Sequence, residues 1–297
     1  MKGEHSVVGT TAIHPTNPSP DATSAVACPV CDAPMTRRKA WLYACPACRF
    51  LKADLPPGGG ADVEGLDALR RENFEVVLDR LEPLVRVDNP RLLDVGCARG
   101  MFLDAARRRG IAGTGIEPDA GAAATAGRAG HDVRVGFFPE AVEPGARVDI
   151  ISFNDTFEHL PDPAAAVDVC RRLLEPGGIL ILNLPNSGGI FYRTATVLDR
   201  LGLSFPLERL WQVHLSSPHL SYFNPQNLTR MAERHGFAEV GRGRLKTVRI
   251  AGLWARMRAG PSPPLPVAGA LYLGVAVLAP LLRLLPRDII LHFYRKR

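Results

Sequence analysis

The 297-residue chain is 46% hydrophobic and 22% charged, a globular composition that excludes disorder of the whole chain. Its 28 Gly and 26 Pro follow no fixed period, which excludes collagen-like and solenoid architectures, and 7% aromatic content argues against a fold built on base-stacking platforms. The net charge of +6 is local: from Leu228 onward 13 Lys or Arg face three acids, while the rest of the chain is net acidic. The last quarter therefore points to an anionic partner such as phosphates or anionic lipid head groups.

Residues 1–27 are rich in Thr, Ser, Pro and Ala, without apolar periodicity or a signal-peptide run, and read as a disordered leader of a cytoplasmic protein. Cys28-Pro29-Val30-Cys31 and Cys45-Pro46-Ala47-Cys48 follow as two C-x-x-C pairs 13 residues apart. That spacing lets four thiolates surround one structural Zn²⁺, in a module (28–55) too small to hold a core without it. It resembles a zinc ribbon. Arg37, Arg38, Lys39 and Trp41 lie between the pairs, as a nucleic-acid contact or as a solvated turn. Pro56-Pro57-Gly58-Gly59-Gly60 opens a linker, 56–65, and Leu66, Leu69, Phe74, Val77, Leu78, Leu81 and Leu84 mark a helix over 66–85.

Strands and helices then alternate. Strands are predicted over 91–96, 113–117, 133–135, 148–153 and 179–184, with helices over 101–109, 118–130 and 162–174 and a turn at Pro176-Gly177-Gly178. A helical insertion is predicted over 189–203. Asn224-Pro225 supplies an N-cap and first residue for a helix ending at His235-Gly236. Residues 238–250 and 288–294 read as a sixth and a seventh strand. The expected fold class is α/β: a doubly wound, mostly parallel seven-stranded sheet, Rossmann-like, with a small N-terminal zinc ribbon. The expected catalytic domain runs 66–250, followed by an apolar and basic helical insertion, 251–287, and a last strand, 288–297.

The first strand ends in Asp94-Val95-Gly96-Cys97-Ala98-Arg99-Gly100, a glycine loop entering a helix, and Glu117 ends the next strand 17 residues past Gly100. Such a loop lets backbone approach a ligand, and an acid there can accept both ribose hydroxyls of a nucleoside. The G-x-G-x-x-G spacing of dinucleotide dehydrogenases is absent. With Gly115-Ile116-Glu117-Pro118, Glu158-His159-Leu160-Pro161-Asp162-Pro163 and Leu174-Glu175-Pro176-Gly177-Gly178 in order, the chain resembles the class I S-adenosylmethionine-dependent methyltransferases over about residues 73–237. The resemblance implies that Asp94, Gly96 and Gly100, with Cys97 and Ala98 on the same loop, shape the pocket for the methionine part of the cofactor. It further implies that Glu117 holds the ribose, that 136–138 including Phe137 lie near adenine, and that Asn154 faces the methionine end. Ala98 replaces the family's usual middle glycine, a turn that alanine fits when its φ is negative.

Methyl transfer to a hydroxyl or carbon acid needs a positioned proton acceptor. His159, after the fourth strand, and His219 with Tyr222, three residues apart, are the candidates, with loop orientation or sheet-edge cover as the structural alternatives. The loop Asn154-Asp155-Thr156-Phe157 does not match the Asn/Asp-Pro-Pro-Tyr/Phe motif of base and amide N-methylation, and Cys97 and Cys170 read as packing residues. The expected acceptor is a small molecule or glycan, methylated at oxygen or carbon. An rRNA or tRNA methyltransferase and a non-catalytic cofactor-binding protein are the alternatives, and nucleic acid is not the expected partner.

Finally, 267–282 are uncharged, broken by Pro280 and flanked by Arg256, Arg258, Arg283 and Arg287. Too short to span a bilayer as one helix, the block is expected to lie on an anionic inner membrane face through 265–285, or in a homodimer interface.

Overall fold

The computed structural model of the protein describes residues 26–58, 66–247, 253–258, 264–278 and 285–297. The expected leader, apart from its last two residues, and most of the expected linker lie outside the described residues.

The cysteine module forms three short strands, β1 (Thr36–Lys39), β2 (Leu42–Ala44) and β3 (Leu51–Ala53). Then come α1 (Asp67–Leu81), β4 (Arg91–Val95), α2 (Met101–Arg108), β5 (Ala112–Glu117), α3 (Ala120–Arg128), β6 (Asp132–Val135), β7 (Val148–Asn154), α4 (Pro163–Leu173) and β8 (Leu174–Pro185). The chain continues through α5 (Ile190–Arg200), α6 (Phe205–Leu210), β9 (Ser221–Tyr222), α7 (Pro225–Arg234), β10 (Phe237–Arg242), α8 (Leu253–Arg258), α9 (Leu265–Leu278) and β11 (Ile289–Lys296).

Seven strands form one sheet in the order β10-β11-β8-β7-β4-β5-β6. The five strands from β8 to β6 are parallel, whereas β11 enters antiparallel to both β8 and β10. The central strands are continuous apolar runs because helices cover both faces. Alternate residues supply two cores: Leu93, Val95, Ile151, Phe153, Leu180 and Leu182 face one side, and Leu92, Ile150, Ile179 and Ile181 the other. The predicted Asn224 cap is present and forms a reciprocal capping box with Asn227, and Asp162, predicted as the first helical residue, instead caps α4 by accepting from the Ala165 N–H at 2.9 Å.

Two expectations are corrected. The sixth strand ends at Arg242, short of the predicted range, whose last residues, 248–250, lie outside the described residues; beyond it the Asn73 side chain of α1 takes both the N–H and the carbonyl of Lys246, so that backbone is satisfied without a strand partner. Pro176-Gly177-Gly178 is absorbed into a bulged start of β8 rather than standing as a turn before it. β3 pairs with β9, giving a second sheet β1-β2-β3-β9, and Cys28, Val30, Met35, Cys45 and Phe50 share one core with Phe153, Phe223 and Leu228.

Candidate active site

The glycine loop leaves β4 at the carboxyl edge of the sheet, where Gly96 and Cys97 N–H both donate to the Ile116 carbonyl at the end of β5 (2.8 and 3.1 Å). Gly96 has φ +73°, and a Cβ there would fall 2.3 Å from Thr156 Oγ1, so the loop after β7 closes directly onto it. Ala98 has φ +47°, not the negative value expected for alanine at this turn. The left-handed backbone is maintained by a specific partner: the buried Glu117 accepts the Ala98 N–H through Oε2 at 2.8 Å and the Asp119 N–H through Oε1 at 2.9 Å.

Asp94, also buried, accepts from Ser152 Oγ (2.7 Å) and Asn154 Nδ2 (3.3 Å); burial pushes its carboxyl up to about 7 despite these hydrogen bonds. Asn154 in turn accepts from Asn183 Nδ2 at 3.4 Å. Among the described residues, buried Asn183 Oδ1 has no hydrogen-bond partner, so the polar row at the ends of β4, β7 and β8 keeps an unused acceptor. Cys97 is buried, and burial raises its thiol; a Cβ on Gly115 would lie 2.4 Å from its sulfur. Its sulfur thus packs tightly over Gly115. Phe137 is 58% exposed one residue past Gly136, whose N–H donates to the Glu117 carbonyl, while Phe138 is buried edge-on against Phe153. Glu117, the loop amides, the exposed Phe137 ring and the polar row are a donor and acceptor set that fits a nucleoside carrying an amino-acid tail.

His159, His219 and Tyr222 are brought together, with the two imidazoles 4.7 Å apart edge to face. Their hydrogen bonds separate their roles. Tyr222 OH donates to the Leu210 carbonyl at 3.0 Å, so it accepts from His219 Nδ1 (3.3 Å); His219 Nε2 then accepts from Gln212 Nε2 (2.9 Å). Both nitrogens of His219 are committed, and burial holds it well below the usual histidine range. His159 donates Nδ1–H to the Pro218 carbonyl at 2.9 Å. Among the described residues its Nε2 has no partner, and burial lowers its basicity, so it carries a lone pair there at neutral pH.

Sequence reasoning assigned no role to Glu158. It is 1% exposed, its Oε2 has no partner among the described residues, and burial raises its carboxyl well above the ordinary value. Oε1 stands 3.9 Å from His219 Nε2, and Glu158, His159 and His219 bring ligand-type atoms within 4.8 Å of one another. Its adjacency to His159 in the loop after β7 was the available signal.

The four cysteines converge as their spacing predicts. Sulfurs of Cys28 and Cys48, and of Cys31 and Cys45, are 3.5 Å apart, and all four lie within 4.8 Å. A tetrahedron with Zn–S bonds near ~2.3 Å separates sulfurs by about 3.8 Å, so the set fits one zinc ion. Two of the residues between the pairs are engaged within the molecule: Lys39 pairs with Asp199 at 2.5 Å, and Trp41 meets the buried Trp211 edge-on at 5.6 Å.

Residues 265–278 of the apolar block form α9, against which α8 packs through Trp254 and Tyr272 (5.8 Å between rings), while Leu265, Leu273 and Val277 stay more than 60% exposed; 279–284 lie outside the described residues. No helix among the described residues is long and apolar enough to cross a membrane.

Comparison with known proteins matches residues 68–240, more than half of the chain, to the methyltransferase domain family. The ubiquinone biosynthesis O-methyltransferase of Alkalilimnicola ehrlichii (strain ATCC BAA-1101 / DSM 17681 / MLHE-1) is 31% identical over 190 residues, covering 60% of this chain and 70% of that protein. The protein of the same name from Xylella fastidiosa (strain M23) is 35% identical over 118 residues, 37% of this chain and 48% of that protein, so the chain spans about half the length of such relatives. The cyclopropane synthase MmaA2 from Mycobacterium tuberculosis shares the fold, with a TM-score of 0.54 at 16% identity over 81% of this chain and 90% of that one. The chain thus belongs to the methyltransferase domain family, and its seven-stranded sheet is the Rossmann-like fold of class I S-adenosylmethionine-dependent methyltransferases.

Proposed function

We propose that the protein is an S-adenosylmethionine-dependent methyltransferase that methylates an oxygen of a small hydroxylated molecule. The observation that carries this reading is the buried Glu117 carboxylate, hydrogen-bonded to the Ala98 amide beside an exposed Phe137. In this reading Glu117 receives the ribose hydroxyls, Phe137 covers the adenine, and Asp94, Asn154 and the loop of Gly96, Cys97, Ala98 and Gly100 hold the amino-acid end. The bound cofactor supplies an electrophilic methyl group. His159 Nε2 takes the acceptor hydroxyl proton, and its Nδ1–H bond to Pro218 fixes the ring for that task. His219 and Tyr222 shape the acceptor wall without exchanging protons. Oxygen is favoured over carbon by the O-methyltransferase names of the relatives, and a small molecule over a glycan by the same names.

The four cysteines hold one structural Zn²⁺ in this reading, within a unit over 28–55 followed by a catalytic domain over 66–250. The exposed face of α9 contacts an anionic membrane surface at which an apolar acceptor would reside. The engagement of Lys39 and Trp41 within the molecule weighs against an RNA substrate.

The test is calorimetry with S-adenosylhomocysteine, followed by mass spectrometry of a panel of phenolic and catecholic acceptors incubated with S-adenosylmethionine. Binding and a 14-dalton gain on an acceptor hydroxyl are the expected results, the mass being that of one added CH₂. Absence of product-cofactor binding overturns the assignment.

A further inference from the structure

The cysteine module is tied by strand pairing, backbone hydrogen bonds and a ring contact to the acceptor side of the site. β3 pairs with β9 at Leu51–Tyr222 and Lys52–Ser221. The ladder continues as Ala53 N–H donates to the Leu220 carbonyl (2.9 Å) and Leu220 N–H donates to the carbonyl of Glu158 (2.8 Å), the residue before His159. At the second knuckle the Cys48 carbonyl accepts from two side-chain amides, Asn224 Nδ2 at 3.4 Å and Asn227 Nδ2 at 3.2 Å, the same pair that caps α7. Phe50, fully buried, sits 4.8 Å from Phe223, which reaches Phe157 at 5.8 Å. Every residue from Leu220 to Asn224 therefore touches the module or is flanked by one that does. By contrast, the Asp94 carboxylate accepts from Ser152 and Asn154 on β7, and the Glu117 carboxylate accepts from the Ala98 and Asp119 amides in the loops that follow β4 and β5.

A two-residue strand such as β9 has little stability of its own and takes its register from its partner. The partner is a three-stranded module whose sulfurs converge at one point, and such modules hold their shape through their metal. Resting on the reading of the cysteines and histidines above, we propose that metal held by Cys28, Cys31, Cys45 and Cys48 positions the acceptor side of the site. The module sets β9 and the His159–His219–Tyr222 wall, and leaves the cofactor loop independent. Asn227, which is 2% exposed and bridges the α7 cap to Cys48, is the positioning residue that joins them.

The test uses the full chain and measures hydrogen exchange of the backbone amides of 220–224 together with calorimetry of S-adenosylhomocysteine. Metal removal by a chelator is expected to speed exchange of these amides about tenfold or more while cofactor-product affinity stays within about twofold. Zinc-loaded Asn227→Asp keeps the carboxyl oxygen that caps α7 and removes the amide donor to Cys48. It is expected to retain its metal and product affinity, speed the same amides, and raise acceptor KM more than it lowers kcat. Unchanged exchange in both preparations overturns the proposal, as does joint loss of product binding and of the whole fold on chelation, which would make the metal a global staple. Failure of the untreated protein to bind S-adenosylhomocysteine would instead overturn the functional reading, and the exchange measurement would still decide the coupling.

Discussion

Glu117 Oε2 accepts the backbone N–H of Ala98 at 2.8 Å, so the acid at the end of β5 holds the turn that leaves β4. In the proposed function the same carboxylate receives a ribose, so that loop geometry and nucleoside affinity would share one side chain. Glu117→Gln should weaken S-adenosylhomocysteine binding by about 10- to 100-fold, the loss of hydrogen bonds to a charged acceptor worth ~1.5–3 kcal/mol. Calorimetry decides it, and an unchanged affinity would remove Glu117 from the site.

Ala98 occupies the left-handed region at φ +47°, which costs a non-glycine residue ~1–2 kcal/mol. Glycine removes that cost at an unfolded-state entropy penalty of ~0.5–1 kcal/mol. Ala98→Gly should therefore raise thermal stability slightly, by up to about 1 kcal/mol, with product affinity retained. A fall in Tm would show that the turn is not left-handed.

The two histidines should separate kinetically. His159→Ala should lower kcat by ~10²–10⁴-fold with product affinity intact. His219→Ala should instead act on stability, by about 1–3 kcal/mol, because Tyr222 and Gln212 lose buried partners. Equal turnover in both variants would leave positioning alone to carry the reaction.

Burial lowers the pKa of His159 below its ordinary value of 6.5. A general base must be unprotonated, so its rate is full above that value and is lost as pH falls through the depressed pKa. The acidic limb of kcat should thus have its midpoint below 6.5 and vanish in His159→Ala. A midpoint above it would point to another base.

Purified protein should contain about one zinc per chain, since four sulfurs converge on one point. Elemental analysis finding none, with four titratable thiols and an intact fold, would contradict the site.

Leu273 and Val277 are exposed on α9, so charging them should not disturb the core. Leu273→Glu with Val277→Glu should abolish flotation with anionic liposomes at low salt, each basic residue near such a surface contributing roughly 1 kcal/mol. If the parent protein stays with the soluble fraction and sediments as a dimer, the face is a subunit interface.

Much of this molecule is written in short windows of its sequence. The apolar runs of β4, β7 and β8, the Asn224-Pro225 start of α7 and the four converging cysteines all follow from spacing within a few residues, because strand burial, helix capping and knuckle formation are local events. The glycine loop and Glu117 were legible for the same reason. What the tertiary structure alone decided are relationships across long separations. Ser221 and Tyr222 form an edge strand only because Leu51 and Lys52, some 170 residues earlier, lie beside them. Ala98 is left-handed because Glu117 takes its amide, and His219 is saturated because Leu210 claims the Tyr222 proton. Local sequence sets which groups are present; the competition of distant partners for each donor and acceptor sets which of them is left with a lone pair to act.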